Sequence, residues 1–241
     1  MTVSADTPAA RVALVAGAFD RRADPAPLGR ALAAAFARRG WDVALQCGPG
    51  AARANAEAAA ADVAALGRRA AVLDADLALE ADAATLIAAC GAALGRPACA
   101  VFVSACAGAD DARTIDGATL AAALARNVTA PLALARALAD ATPDAARDDE
   151  ALRACAIHVL DQALFHPAPA QLSHALMQAA LSRATSALAL ALAPKVRGRA
   201  PHADDIAAAA CYLANAPGVT GATLTVDGGE HLVPPADGPN E

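Results

Sequence analysis

Ser173, His174 and Gln178 fall within the stretch QLSHALMQAAL, which runs from Gln171 to Leu181 and reads as a helix. His174 and Gln178 are four residues apart, the spacing that sets two side chains one above the other on a helix face. Histidine gives or takes a proton near neutral pH. Glutamine is neutral and offers only hydrogen bonds. The pair is either a proton donor with a hydrogen-bonding neighbour or two ordinary polar groups on a helix surface. The second reading is the simpler, and it leads to the expectation that both side chains face solvent.

A second place for chemistry is the loop in VAGAFDRRADPAPLGRALA. Gly17 ends an apolar run and Gly29 opens a helical one. Glycines so placed allow a tight turn and let a pyrophosphate approach a helix N-terminus. Here they are twelve residues apart, longer than a compact glycine fingerprint, and Asp20, Asp24, Pro25 and Pro27 are poor companions for a phosphate. Arg21 and Arg22 could compensate, and a plain turn fits equally well. The run LQCGPG offers no acid for a ribose 2′-hydroxyl and no arginine for a 2′-phosphate nearer than Arg53, so neither NAD nor NADP is favoured. His158 and His166 have no partner at a metal-ligand spacing. The six cysteines include no C-x-x-C pair, so they read as small buried apolar residues and no metal site is expected.

The elements that must position these residues alternate. Strand-like runs (RVALVAG, DVALQC, RAAVLDADL, CAVFVSACAG, RACAIHVLDQ, ATLTVDGG) are separated by alanine-rich helical ones. One of these, DGATLAAALARNVTAPLALARALADA, is a single long helix with a proline inside it. The polar stretch from Asp140 to Arg153 reads as a helix-poor surface connection. The pattern predicts an α/β protein with a Rossmann-like, doubly wound parallel sheet. It forms one domain over residues 1–241, with loose termini at 1–9 and 234–241. Of the residues, 57 % are hydrophobic and only 2 % aromatic, so the core must be built from Leu, Val and Ala. The net charge of −6 without a basic run argues against nucleic-acid binding. No stretch reads as a membrane span, and the absence of a basic leader suggests the cytoplasm.

On these motifs the chain resembles the short-chain dehydrogenase/reductases, and among them the pteridine-reductase-like branch. The likeness runs over about residues 10–233. GVTGATLTVDGGEHL is close to the family's ending, and ADDIAAAACYLAN precedes it as the family's helix does. DADL matches the end of the third strand, where Asp76 would face an adenine. RNVTAPLALARAL matches the helix carrying the family's structural and catalytic asparagine, here Asn127. VLDQALFHPAPAQLSHALMQAAL resembles the fifth strand and active-site helix.

The departures are as telling. Ala16 stands for the family's threonine, with an insertion around Asp20 to Pro25. The turn after the fourth strand is SACAG, beginning at Ser104, with no asparagine. His174 and Gln178 occupy the places of the catalytic Tyr and Lys. Asp161, thirteen residues before His174, keeps the branch's aspartate. The sixth strand and substrate lid look truncated between GRAPHADD and the next helix.

The resemblance implies NADP or NAD as cofactor, with Gly17, Gly29, Asp76 and Ser104 at its site. It also implies a homo-oligomer, dimer or tetramer, formed through the two long helices. Two functions stand open. One is a degenerate reductase-like protein without the Tyr/Lys mechanism, kept for binding or assembly. The other is an active NAD(P)H-dependent reductase of a pterin-like or carbonyl substrate, in which Asp161 would raise the pKa of His174 and fix its tautomer. The losses favour the first.

Overall fold

The computed structural model describes residues 11–19, 27–48, 52–104, 109–160, 162–193, 195, 212 and 225. Five short apolar runs become strands: β1 (Val12–Ala16), β2 (Asp42–Cys47), β3 (Ala70–Asp74), β4 (Pro97–Val103) and β5 (Cys155–Val159). They pair in parallel in the order β3-β2-β1-β4-β5. β1 and β2 are buried along their whole length, because helices cover both faces of the sheet centre. β3 and β5, at the two edges of the described sheet, are half-buried.

One face is covered by α1 (Pro27–Arg38) and α2 (Ala52–Ala65). The other is covered by α3 (Glu80–Leu94), α5 (Ala130–Ala141) and α6 (Leu172–Leu192). Each helix returns the chain to the N-terminal edge of the sheet. α1 stops at Gly40, which takes a φ of 83° that side chains disfavour, while the Trp41 amide closes the turn on the Phe36 carbonyl.

Two expected stretches gain detail. The long helix expected around Asn127 runs from Gly117 to Ala141, with α4 (Gly117–Leu124) continuing through a π turn at Ala125–Thr129 into α5. Pro131 accounts for the position, since its ring has no N–H and crowds the carbonyl four residues back, that of Asn127. The stretch from Asp140 to Arg153 is mostly exposed and poor in α-helix, as expected of a surface connection. It forms 3₁₀ turns at Asp144–Arg147 and Glu150–Leu152, with Ala146 buried and the Arg153 guanidinium donating to the Ala146 carbonyl.

α6 is apolar enough and long enough, by composition alone, to cross a bilayer. Its residues Ser173, His174, Met177, Gln178 and Leu181 are packed inside the domain instead. The insertion at Asp20 to Pro25, Asp161, the proposed lid truncation and the expected last helix and strand lie outside the described residues.

Candidate functional site

Ser104 directly follows β4, Asn127 occupies the π turn, and His174 and Gln178 project from the first turns of α6. The fold brings these four into one buried chain of hydrogen bonds. The Asn127 amide donates to the Ala123 carbonyl at 3.3 Å, and its Oδ1 accepts from Ser104 Oγ at 3.2 Å. Gln178 Nε2 donates to Ser104 Oγ at 2.9 Å and lies 3.3 Å from His174 Nε2. A glutamine amide nitrogen has hydrogens and no lone pair to offer. Gln178 Nε2 is therefore the donor toward His174 Nε2.

The expectation that these side chains face solvent is overturned. His174 is 4 % exposed and Gln178 not at all. The reason is geometric: the buried stripe 173, 174, 177, 178 and 181 is the face α6 turns toward α4, the π turn and α5. Burial of polar groups demands partners, and the relay supplies them for Ser104 Oγ, Gln178 Nε2 and His174 Nε2.

Asp110 was not anticipated from the sequence. α6 has no capping side chain of its own, because Gln171 at its start makes no such bond. Asp110 provides one from a distant segment: its Oδ1 accepts from the Ser173 amide at 2.9 Å. The two backbones also form an isolated parallel bridge between Asp110 and Gln171. Bonds from the Ser173 hydroxyl and amide hold the Asp110 carboxyl below its usual pKa. An aspartate facing a helix N-terminus is stabilised by the dipole and the open amides there.

At the β1 end, Gly17 takes a φ of 74°, and a Cβ there would meet the Val103 carbonyl at 2.3 Å. Its amide donates to Gln46 Oε1 at 2.8 Å, and Gln46 Nε2 donates to the Ala75 carbonyl at 2.9 Å. Gln46 is fully buried and ties three strand ends together. The one polar residue inside the apolar run VALQC was the signal for it. The room left by the missing Cβ of Gly29 is taken by the Phe19 ring, 2.8 Å from where that atom would sit, and Phe19 is 1 % exposed.

Asp76 is committed locally. Its Oδ1 accepts from the Ala78 amide at 2.9 Å and faces Arg126 at 3.4 Å. Arg53 pairs with Asp74 and Glu57. Asp161 lies outside the described residues, so its partnership with His174 is not placed. His158 is bonded to Thr185 Oγ1 at 2.8 Å, and burial lowers its pKa. Among the described residues no group of three His, Cys, Asp or Glu side chains could hold a metal ion.

No sequence-family model matches the chain, and no curated protein matches it. Solved structures do. A short-chain dehydrogenase/reductase from Serratia marcescens is 21 % identical with a TM-score of 0.65, covering 78 % of this chain and 71 % of that one. The chain thus has the short-chain dehydrogenase/reductase fold, with its single parallel sheet between helices. Over nearly the whole length it is similar to FolM, alternative dihydrofolate reductase 1, from Brucella suis in complex with NADP. That similarity is 25 % identity and a TM-score of 0.64, over 94 % of this chain and 98 % of that one. The Brucella canis FolM structure, also complexed with NADP, is 24 % identical with a TM-score of 0.63 and coverage of 95 % and 97 %.

Proposed function

We propose that the chain is a degenerate reductase-like protein that lacks the Tyr/Lys mechanism and is kept for binding or assembly. The observation that carries this reading is the closed relay. The two residues in the Tyr and Lys places are buried and bonded to each other, and Gln178 spends its amide hydrogens on Ser104 and His174. A neutral amide supplies none of the electrostatic shift that a lysine ammonium gives a neighbouring acid. The groups expected to meet a dinucleotide are likewise engaged within the protein: Phe19 against Gly29, Ser104 with Asn127, and Asp76 with Arg126.

Titration with NADPH and NADH, followed by nicotinamide fluorescence, tests this. No saturable binding at millimolar cofactor is the expected result. Tight binding, with turnover of a pterin or carbonyl substrate that His174→Ala abolishes, would overturn it. That outcome is the second reading, a working NAD(P)H-dependent reductase. It is favoured by the full-length similarity to NADP-bound FolM structures and by the placement of Asn127 in the π turn.

Assembly is proposed through α6 and the adjoining α4–α5 face. α6 presents Leu176 and Leu190 to solvent, and α4 presents Leu124, each 46–49 % exposed. Light scattering on the purified chain is expected to give a dimer or tetramer. A monomer at micromolar concentration would remove this part of the reading.

A further inference from the structure

The edge of the sheet opposite the relay gathers arginines. Arg11 directly precedes β1, Arg38 and Arg39 close α1, Arg68 and Arg69 precede β3, and Arg96 precedes β4. The repeated β-to-α crossing brings all six to the N-terminal ends of the strands. Asp42, the first residue of β2, sits among them and is 1 % exposed. Arg68 Nη2 lies 2.6 Å from one of its oxygens and Arg69 Nε 2.7 Å from the other.

The remaining bonds there go to neutral carbonyls. Arg39 donates to Ala35, Arg69 Nη2 to Leu94, and Arg96 to Leu152. These bonds finish helix and turn ends but cancel no charge. Arg38 is exposed and has no ion pair among the described residues, and Arg11 lies 4.1 Å above the Trp41 ring. Toward β5 the same edge carries exposed Asp148, Asp149 and Glu150 beside Leu152, but around β1 and β2 a chain of net charge −6 keeps a positive face.

We propose that this face docks an acidic segment of a partner protein, with carboxylates meeting Arg11, Arg38 and Arg39 around Trp41. The chemistry is already displayed within the fold. Asp42 is held by two guanidinium groups, the arrangement in which arginine binds carboxylates best. A peptide is favoured over a nucleic acid for two reasons. The Trp41 ring is half-buried and has Arg11 over its face, so it offers no open platform for a base. The chain's net charge of −6 also disfavours a long polyanion. The face lies about 17 Å from the relay, one strand length away. The proposal holds whether or not the cofactor site functions.

Trp41 is the chain's single tryptophan, so its emission reports directly on the face. The full chain is titrated with a short oligoglutamate peptide and, separately, with an oligothymidylate. A saturable change in Trp41 emission with oligoglutamate is expected. It weakens as salt is raised, and it weakens roughly tenfold or more in Arg11→Glu/Arg38→Glu. Arg11→Gln/Arg38→Gln serves in place of the reversed pair if circular dichroism shows that variant unfolded. No saturable change in the unaltered protein would overturn the proposal. So would oligoglutamate binding that both variants leave intact, or saturable binding of oligothymidylate alone.

Discussion

Gln178 is a neutral amide buried on α6. With no exposure and bonds to both Ser104 and His174, it is the hinge of the relay. Replacing it by alanine leaves a hydroxyl and an imidazole nitrogen facing a void. Each such orphaned group costs about 1–3 kcal/mol. Gln178→Ala is expected to lower stability by about 2 kcal/mol or more, read from urea unfolding. A loss within error of zero would mean that water replaces the amide easily and the relay is loosely held. The burial of His174 and Gln178 was not legible beforehand because α6 is apolar nearly all round. No polar face marks its outward side, so the repeat of hydrophobic residues does not say which way the two polar ones turn. Gln46 shows the opposite case: a polar residue flanked by apolar ones in the middle of a buried strand had to find partners inside, and it did.

At the scale of elements, the alternation of strand and helix was readable because glycines and apolar runs bound each unit. β2 begins at Asp42 and ends at Cys47, where the pattern put it. The π turn was harder to foresee. A proline within a helical pattern can end, kink or widen the helix, and only packing of Asn127 against Ser104 shows which occurred. The start of α6 depends on Asp110. Asp110→Ala is expected to speed amide exchange in the first turn of α6, around Leu172 to Ala175, while the amides of β1 stay protected. Uniform acceleration across the sheet would instead show that the contact supports the whole domain. Because the Asp110 carboxyl is held below its ordinary pKa, its cap is fully present above the usual carboxylate range and weakens as pH falls through the folded value.

At the scale of the molecule, acid sensitivity should centre on Asp42. Burial works to raise its pKa, but the bonds from Arg69 and Arg68 outweigh burial and hold it below the ordinary value. Its ion pairs therefore stabilise the fold above about pH 4 and lose that effect as the pH drops through the folded-state value. Asp42→Asn is expected to melt at a lower temperature at neutral pH and to show a flatter acid limb down to pH about 2, measured by thermal unfolding. An unchanged acid limb would assign the sensitivity to other carboxylates. The whole fold also carries a schedule. α6 borrows its cap from a residue 63 positions earlier in the chain, so the first turn of this helix cannot be finished by local sequence. During synthesis its amides stay with water until β4 and the segment after it have docked. Protection of the Ser173 amide is then a clock for completed assembly rather than for helix formation.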